Sequence, residues 1–144
     1  MDRENGESMK QVLVLCTGNS CRSIMAESLI NALGNGHYQA YSAGSEPAGY
    51  VHPEALATLS RHGVQVHDPV SQSWDDYAEH SFDLVITVCD NAAAETCPAF
   101  PGGFERLHWS TPDPASVTGD EATVRAAFES AYAQLHERVT KELL

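Results

Sequence analysis

The sequence predicts an α/β fold, a three-layer sandwich with about four parallel strands and helices on both faces. Two observations carry this. The runs Gln11-Val12-Leu13-Val14-Leu15 and Phe82-Asp83-Leu84-Val85-Ile86-Thr87-Val88 are apolar at nearly every position, without the alternation of a half-exposed strand, and so read as strands buried on both sides. Segments with helical spacing lie between and after them, and a strand–helix alternation builds a parallel sheet with crossover connections.

Residues Met1 to Lys10 are polar and without periodicity, and a flexible tail is expected there, with residues 11–144 forming a single domain. The first strand ends at Cys16. Met25, Leu29 and Leu33 then recur at helical spacing, and Gly34 with Gly36 supplies the stop. A second strand is expected from Tyr38 to Ser42. A helix opens at Pro53 and runs to about His62, where Gly63 ends it. The strand from Phe82 leads directly into Cys89. A loop with Cys97, Pro98, Pro101, Gly102 and Gly103 precedes a brief strand at Arg106 to Trp109 and then Thr111-Pro112-Asp113-Pro114. In the last helix, Val124, Phe128, Ala131, Leu135, Val139 and Leu143 share one stripe, and Asp120 with Glu121 suits its positive N-terminal end. Ligands of such sheets bind beyond the carboxyl ends of the strands. Cys16, Cys89 and Asp113 all follow strand ends, so they are expected at one edge.

Charge narrows the function. With 8 Lys+Arg against 20 Asp+Glu the net charge is -12, which repels phosphate backbones and anionic lipid headgroups, so neither nucleic acid nor a membrane surface is an expected partner. The first residues are polar and Val12 to Leu15 is too short for a signal peptide or a span, so a cytoplasmic location is expected. In that compartment four cysteines read as redox or catalytic thiols rather than a disulfide framework. Their Cys-x4-Cys and Cys-x7-Cys spacings match no ordinary zinc site, and no metal is expected from them.

Cys16-Thr17-Gly18-Asn19-Ser20-Cys21-Arg22-Ser23 sets a thiol, spacer residues, an arginine and a hydroxyl between a buried strand and a helix start. Wrapping this chain around a tetrahedral anion points backbone N–H groups inward, and Gly18 and Asn19 tolerate the backbone angles this demands. Thr17 to Arg22 thus form an expected oxyanion-binding loop. Arg22 adds a planar charged fork, and the helix beginning near Ser23 its positive end. In such surroundings a cysteine pKa of about 8.5 falls to roughly 4 to 7, so Cys16 is expected to be a nucleophilic thiolate. Ser23 is placed to donate a hydrogen bond to it. Cys21 has two readings, a partner for a protective disulfide with Cys16 or packing filler. His108, beside Trp109, reads as structural. Asp113, between prolines and after the last strand, reads as a general acid.

These residues resemble the low-molecular-weight protein tyrosine phosphatase fold family and, within it, the arsenate reductases. The resemblance spans nearly all of residues 11–144 and rests on CTGNSCRS at Cys16 to Ser23, Met25-Ala26-Glu27, Tyr41-Ser42-Ala43-Gly44, Cys89-Asp90-Asn91, Cys97-Pro98, His108-Trp109 and Asp113-Pro114-Ala115. Cys89 and Cys97 match positions where such reductases keep redox thiols. Ala115, Ser116 and Val117 stand where the phosphatases hold aromatic residues. The resemblance implies reduction of arsenate to arsenite. Cys16 attacks arsenic, Asp113 protonates the departing oxygen, Cys89 attacks the resulting adduct, Cys97 takes over the disulfide, and an external dithiol, thioredoxin or glutathione with glutaredoxin, restores the thiols. No tightly bound cofactor and a monomer are expected. The alternatives are a phosphatase using Cys16, Arg22 and Asp113, and an arsenite-binding thiol sensor or scavenger. One branch also binds potassium beside the loop. Asn19, Glu27 and Ser42 match that set, but Ser71 to Trp74 offers no clear aspartate, so a potassium site is not expected.

Overall fold

The computed structural model describes residues 9–34, 36–66, 68–88 and 103–144. Strand β1 (Lys10–Cys16) leads to helix α1 (Arg22–Leu33), then β2 (Tyr38–Gly44), α2 (Pro53–Arg61), β3 (Leu84–Thr87), β4 (Glu105–His108) and α3 (Glu121–Glu142). Two short 3-10 turns, Trp74–Tyr77 and Pro114–Ser116, interrupt the connections.

The four strands form one sheet in the order β2-β1-β3-β4, parallel throughout, with Val14 beside Ser42 on one side and beside Ile86 on the other. Val12, Leu13, Val14 and Leu15 are all fully buried. Successive residues of a strand point to opposite faces, so both faces of the sheet are covered at β1. The sheet and its parallel sense are as the sequence predicts. The strand edges shift: β1 starts one residue before Gln11, at Lys10 within the expected tail, β2 runs on to Gly44, and β3 is confined to Leu84–Thr87.

The helices obey local chemistry. His52 caps α2, its Nδ1 accepting from the Glu54 amide at 3.0 Å, and Pro53 occupies the first turn, where its missing N–H costs nothing. Gly63, at φ 73°, ends that helix as its amide and that of Val64 bond back to the carbonyls of Ser60 and Leu59. Asp120 caps α3 through Thr123 N at 2.9 Å. The stripe of α3 is buried at Phe128, Ala131, Leu135 and Val139, joined by Tyr132, while Val124 is only half-buried. Helix α1 has no single stripe. Ile24, Met25, Ala26, Leu29 and Ile30 are all fully buried, because α1 packs against β1, β2, α2 and α3 together. Among the described residues no helix is long and apolar enough to cross a membrane.

Candidate active site

The segment between β1 and α1 is bound on its outer side. The Thr17 carbonyl accepts from Glu46 N at 2.9 Å, the Gly18 carbonyl from Ala48 N at 2.9 Å and Ser71 Oγ at 3.1 Å, and the Ser20 carbonyl from His52 N at 2.9 Å. Among the described residues all peptides are trans, and in a trans peptide the N–H points opposite to the preceding C=O. The amides of Gly18, Asn19 and Cys21 therefore face away from the 46–52 segment, into the concave side of the loop. That is the donor array a tetrahedral anion needs.

Asn19 makes the reversal. It sits at φ 47°, fully buried, with Nδ2 donating to Ser23 Oγ at 2.8 Å and Oδ1 accepting from Gln72 N at 2.7 Å. Gly44 lets the loop lie so close to β2, since a Cβ there would collide with the carbonyl oxygens of Thr17 and Cys16. At the start of α1 the capping position is taken by Cys21, whose side chain makes no capping bond. The first helical amides keep their positive end for a ligand.

Cys16 closes β1 as a buried thiol, 4% exposed. Arg22 reaches across to the segment after β4, with Nη1 donating to the Thr111 carbonyl at 2.9 Å and Nη2 lying 3.7 Å from Asp113 Oδ2. Its Nε is buried with no hydrogen-bond partner, and a buried charged donor left in that state calls for an acceptor. Asp113 is 40% exposed. Its Oδ1 accepts from Ala115 N at 3.0 Å and from the Cys21 thiol at 3.8 Å. Burial, then the charge of Asp113, push the Cys21 thiol pKa up, so Cys21 stays protonated beside the loop, while the cause that favours a thiolate, Arg22, is outweighed.

The structure thus brings Arg22, Asp113 and Cys21 together beside the loop of Cys16 to Ser23. Cys89 and Cys97 lie outside the described residues. His108 has its structural partner, Thr87 Oγ1, at 2.7 Å from Nδ1, and Trp109 is fully buried, donating to Glu142 at 3.1 Å. Sequence reasoning missed Ser71, Gln72 and Thr111, which hold the loop and its arginine through contacts made across the chain. No motif marks them.

Comparison with known proteins agrees with this geometry. Curated relatives include an arsenate reductase of Bacillus licheniformis, 37% identical over 93% of this chain and 95% of that protein, and one of Halalkalibacterium halodurans, 36% identical over 90% and 92%. Similar solved structures include an arsenate reductase in the phosphate binding state (TM-score 0.72, 28% identity, 92% of this chain and 95% of that one). A thioredoxin-dependent arsenate reductase of Corynebacterium glutamicum matches at TM-score 0.66 and 26% identity, over 94% of this chain and 62% of that one. A tyrosine phosphatase of Erwinia amylovora matches at TM-score 0.69 and 26% identity, over 94% and 92%. The family model described as low molecular weight phosphotyrosine protein phosphatase matches residues 11–144. With its thiol at the end of a buried parallel strand and its inward-facing amides, this chain belongs to that family.

Proposed function

We propose that this chain reduces arsenate to arsenite, using Cys16 as nucleophile. The observation that carries the reading is the loop itself: inward amides, an uncapped helix start and a guanidinium whose buried Nε lacks an acceptor, gathered beyond the strand that ends in a thiol. Such a site binds a tetrahedral oxyanion and holds the charge that develops on it. The curated relatives, named arsenate reductases, favour arsenate over an aryl phosphate. So does the small, exposed Ala115-Ser116 pair after Asp113-Pro114, which offers no wall for an aromatic ring.

In this mechanism the Cys16 thiolate attacks As(V) and an oxygen departs as water with a proton from Asp113. Ser23 supports the sulfur: its Oγ accepts from Asn19 Nδ2 and so keeps its own hydrogen to donate. Cys89, as thiolate, then attacks Cys16 Sγ. The S–As bond breaks with its electron pair passing to arsenic, arsenite leaves, and a Cys16–Cys89 disulfide remains. Attack by Cys97 on Cys89 frees Cys16 and moves the disulfide to Cys89–Cys97. An external dithiol, thioredoxin or glutathione with glutaredoxin, takes it back to thiols. The thioredoxin-dependent structural relative supports the first donor. The protein acts as a cytoplasmic monomer without a tightly bound cofactor.

The test is NADPH-coupled arsenate turnover of wild type, Cys89→Ser and Cys97→Ser, each with the thioredoxin and the glutaredoxin systems. Turnover in wild type that disappears in Cys89→Ser is the expected result. Aryl-phosphate hydrolysis with no arsenate turnover from either donor would establish the phosphatase reading instead.

A further inference from the structure

Gln72 lies where the oxyanion loop, β2 and the Trp74–Tyr77 turn meet, and it donates to all three. Its backbone N–H bonds Asn19 Oδ1 at 2.7 Å, and its Nε2 bonds the Tyr77 hydroxyl at 3.0 Å and the Ser42 carbonyl at 3.4 Å. The Ser42 hydroxyl donates in turn to Glu27 Oε1 at 2.6 Å. The oxygens of Asn19, Glu27 and Ser42 are those the family resemblance would offer to a potassium ion. Here each residue already has an oxygen committed to a protein donor, and Gln72 provides two of those three bonds. These bonds leave lone pairs on the oxygens, but a cation bound through them would face the N–H donors of Gln72 in place of a further acceptor. The residues therefore do not fit a resident alkali cation.

We propose that Gln72 takes the place of an alkali cation in this chain, bridging the oxyanion loop to β2 through its backbone N–H on Asn19 and its side-chain amide on Ser42, and making loop stability and anion affinity independent of potassium. A bound ion stabilises by mass action and its effect rises with concentration, whereas a covalently attached donor acts at full strength at any ionic composition. Asn19 is the element so held, and its left-handed backbone is what reverses the loop around its ligand.

This inference rests on the oxyanion reading of the loop and not on the redox chemistry, so its readouts are melting temperature and inorganic phosphate affinity of the reduced full-length protein. Melting curves and phosphate titrations are run in potassium, sodium and choline chloride at equal ionic strength. Wild type is expected to melt within about 1 °C in all three, since a cation without a site contributes no linkage, and to bind phosphate equally. Gln72→Ala keeps the backbone N–H on Asn19 but loses the side-chain bonds that anchor residue 72 to Ser42 and Tyr77, and is expected to weaken phosphate binding by about tenfold as that anchor is lost, while Gln72→Asp is expected to gain a melting shift specific to potassium. A potassium-specific, concentration-dependent rise in wild-type melting overturns the proposal. So does a Gln72→Ala protein with wild-type phosphate affinity. If Gln72→Ala does not fold, Gln72→Glu, which keeps the length but loses the amide donors, is read in its place with the same outcomes.

Discussion

The oxyanion loop and the Asp113 turn meet at Arg22 but are held in opposite ways. Every outward carbonyl of the loop described above is tied to a backbone or hydroxyl donor from the 46–52 or 71–72 segments, and its key residue, Asn19, is fully buried. The Asp113 side chain stands 40% exposed at the start of a short 3-10 turn, with local bonds from Ala115 N and from Ser116 Oγ to its own carbonyl beside its contacts to Cys21 and Arg22. The proposed mechanism accounts for the difference. A loop that stabilises charge works by being fixed before the ligand arrives, since donors that must reorganise lose much of their effect. A group that gives up a proton in every cycle must recover one from water, and burial would obstruct that.

The comparison can be broken most severely at Arg22. Arg22→Lys keeps a charge but loses the fork, and kcat/KM for arsenate is expected to fall about 1000-fold, comparable to losing a central oxyanion donor, with weaker phosphate binding as well. Asp113→Asn keeps the Ala115 cap but removes the proton, so kcat is expected to fall about 100-fold while phosphate affinity and melting temperature stay as in wild type. If Asp113→Asn weakens phosphate binding as much as Arg22→Lys does, the division into a binding half and a proton half is wrong. Gly44→Ala sharpens the contrast from the structural side. Its new methyl meets two loop carbonyls, and urea unfolding is expected to show a loss of about 3 kcal/mol together with impaired phosphate binding.

The smallest effect concerns pH. Glu27 is pushed from an ordinary 4.5 up to about 7 by burial, against the opposing Ser42 bond. The folded state therefore holds a proton there that the unfolded state has lost, and this contribution is complete below about pH 4.5 and disappears as pH rises through 7. The whole shift corresponds to at most about 3 kcal/mol. Glu27→Gln, which cannot ionise, is expected to lose less stability than wild type between pH 5 and pH 8.5. Parallel pH dependences of the two proteins in chemical denaturation would refute the assignment.

What the sequence made legible is what nearest neighbours along the chain determine. Val12 to Leu15 and Leu84 to Thr87 are fully or largely buried runs, and an unbroken apolar run needs no tertiary information to be read as a two-sided strand. The Cys16-x5-Arg22-Ser23 pattern is legible too, because its residue types and their spacing between a strand end and a helix start lie together in the chain. Gln72 and Thr111 were illegible for the converse reason: each acts through a partner 53 or 89 positions away, and neither has a residue type that announces the role. The breadth of α1 burial escaped notice because a stripe of three residues predicts one covered face, whereas α1 has neighbours on several sides. The 3-10 turn after Asp113 is set by Pro114 and the Asp113 cap together, a combination that reads from sequence only as a bend.

The far end of α3 has a consequence for how the protein is made. The Tyr38 hydroxyl bonds the Leu143 carbonyl at 2.8 Å, Trp109 bonds Glu142, and Phe128 packs on the His52 ring at 4.8 Å, the residue whose amide also holds Ser20 of the loop. A ribosome delivers these partners about a hundred residues after the loop, at about 5 to 20 residues per second, so β1, the loop and α1 wait seconds for the helix that packs on them. Nascent chains stalled before residue 128 carry Cys16 in a frame that still lacks the packing of α3.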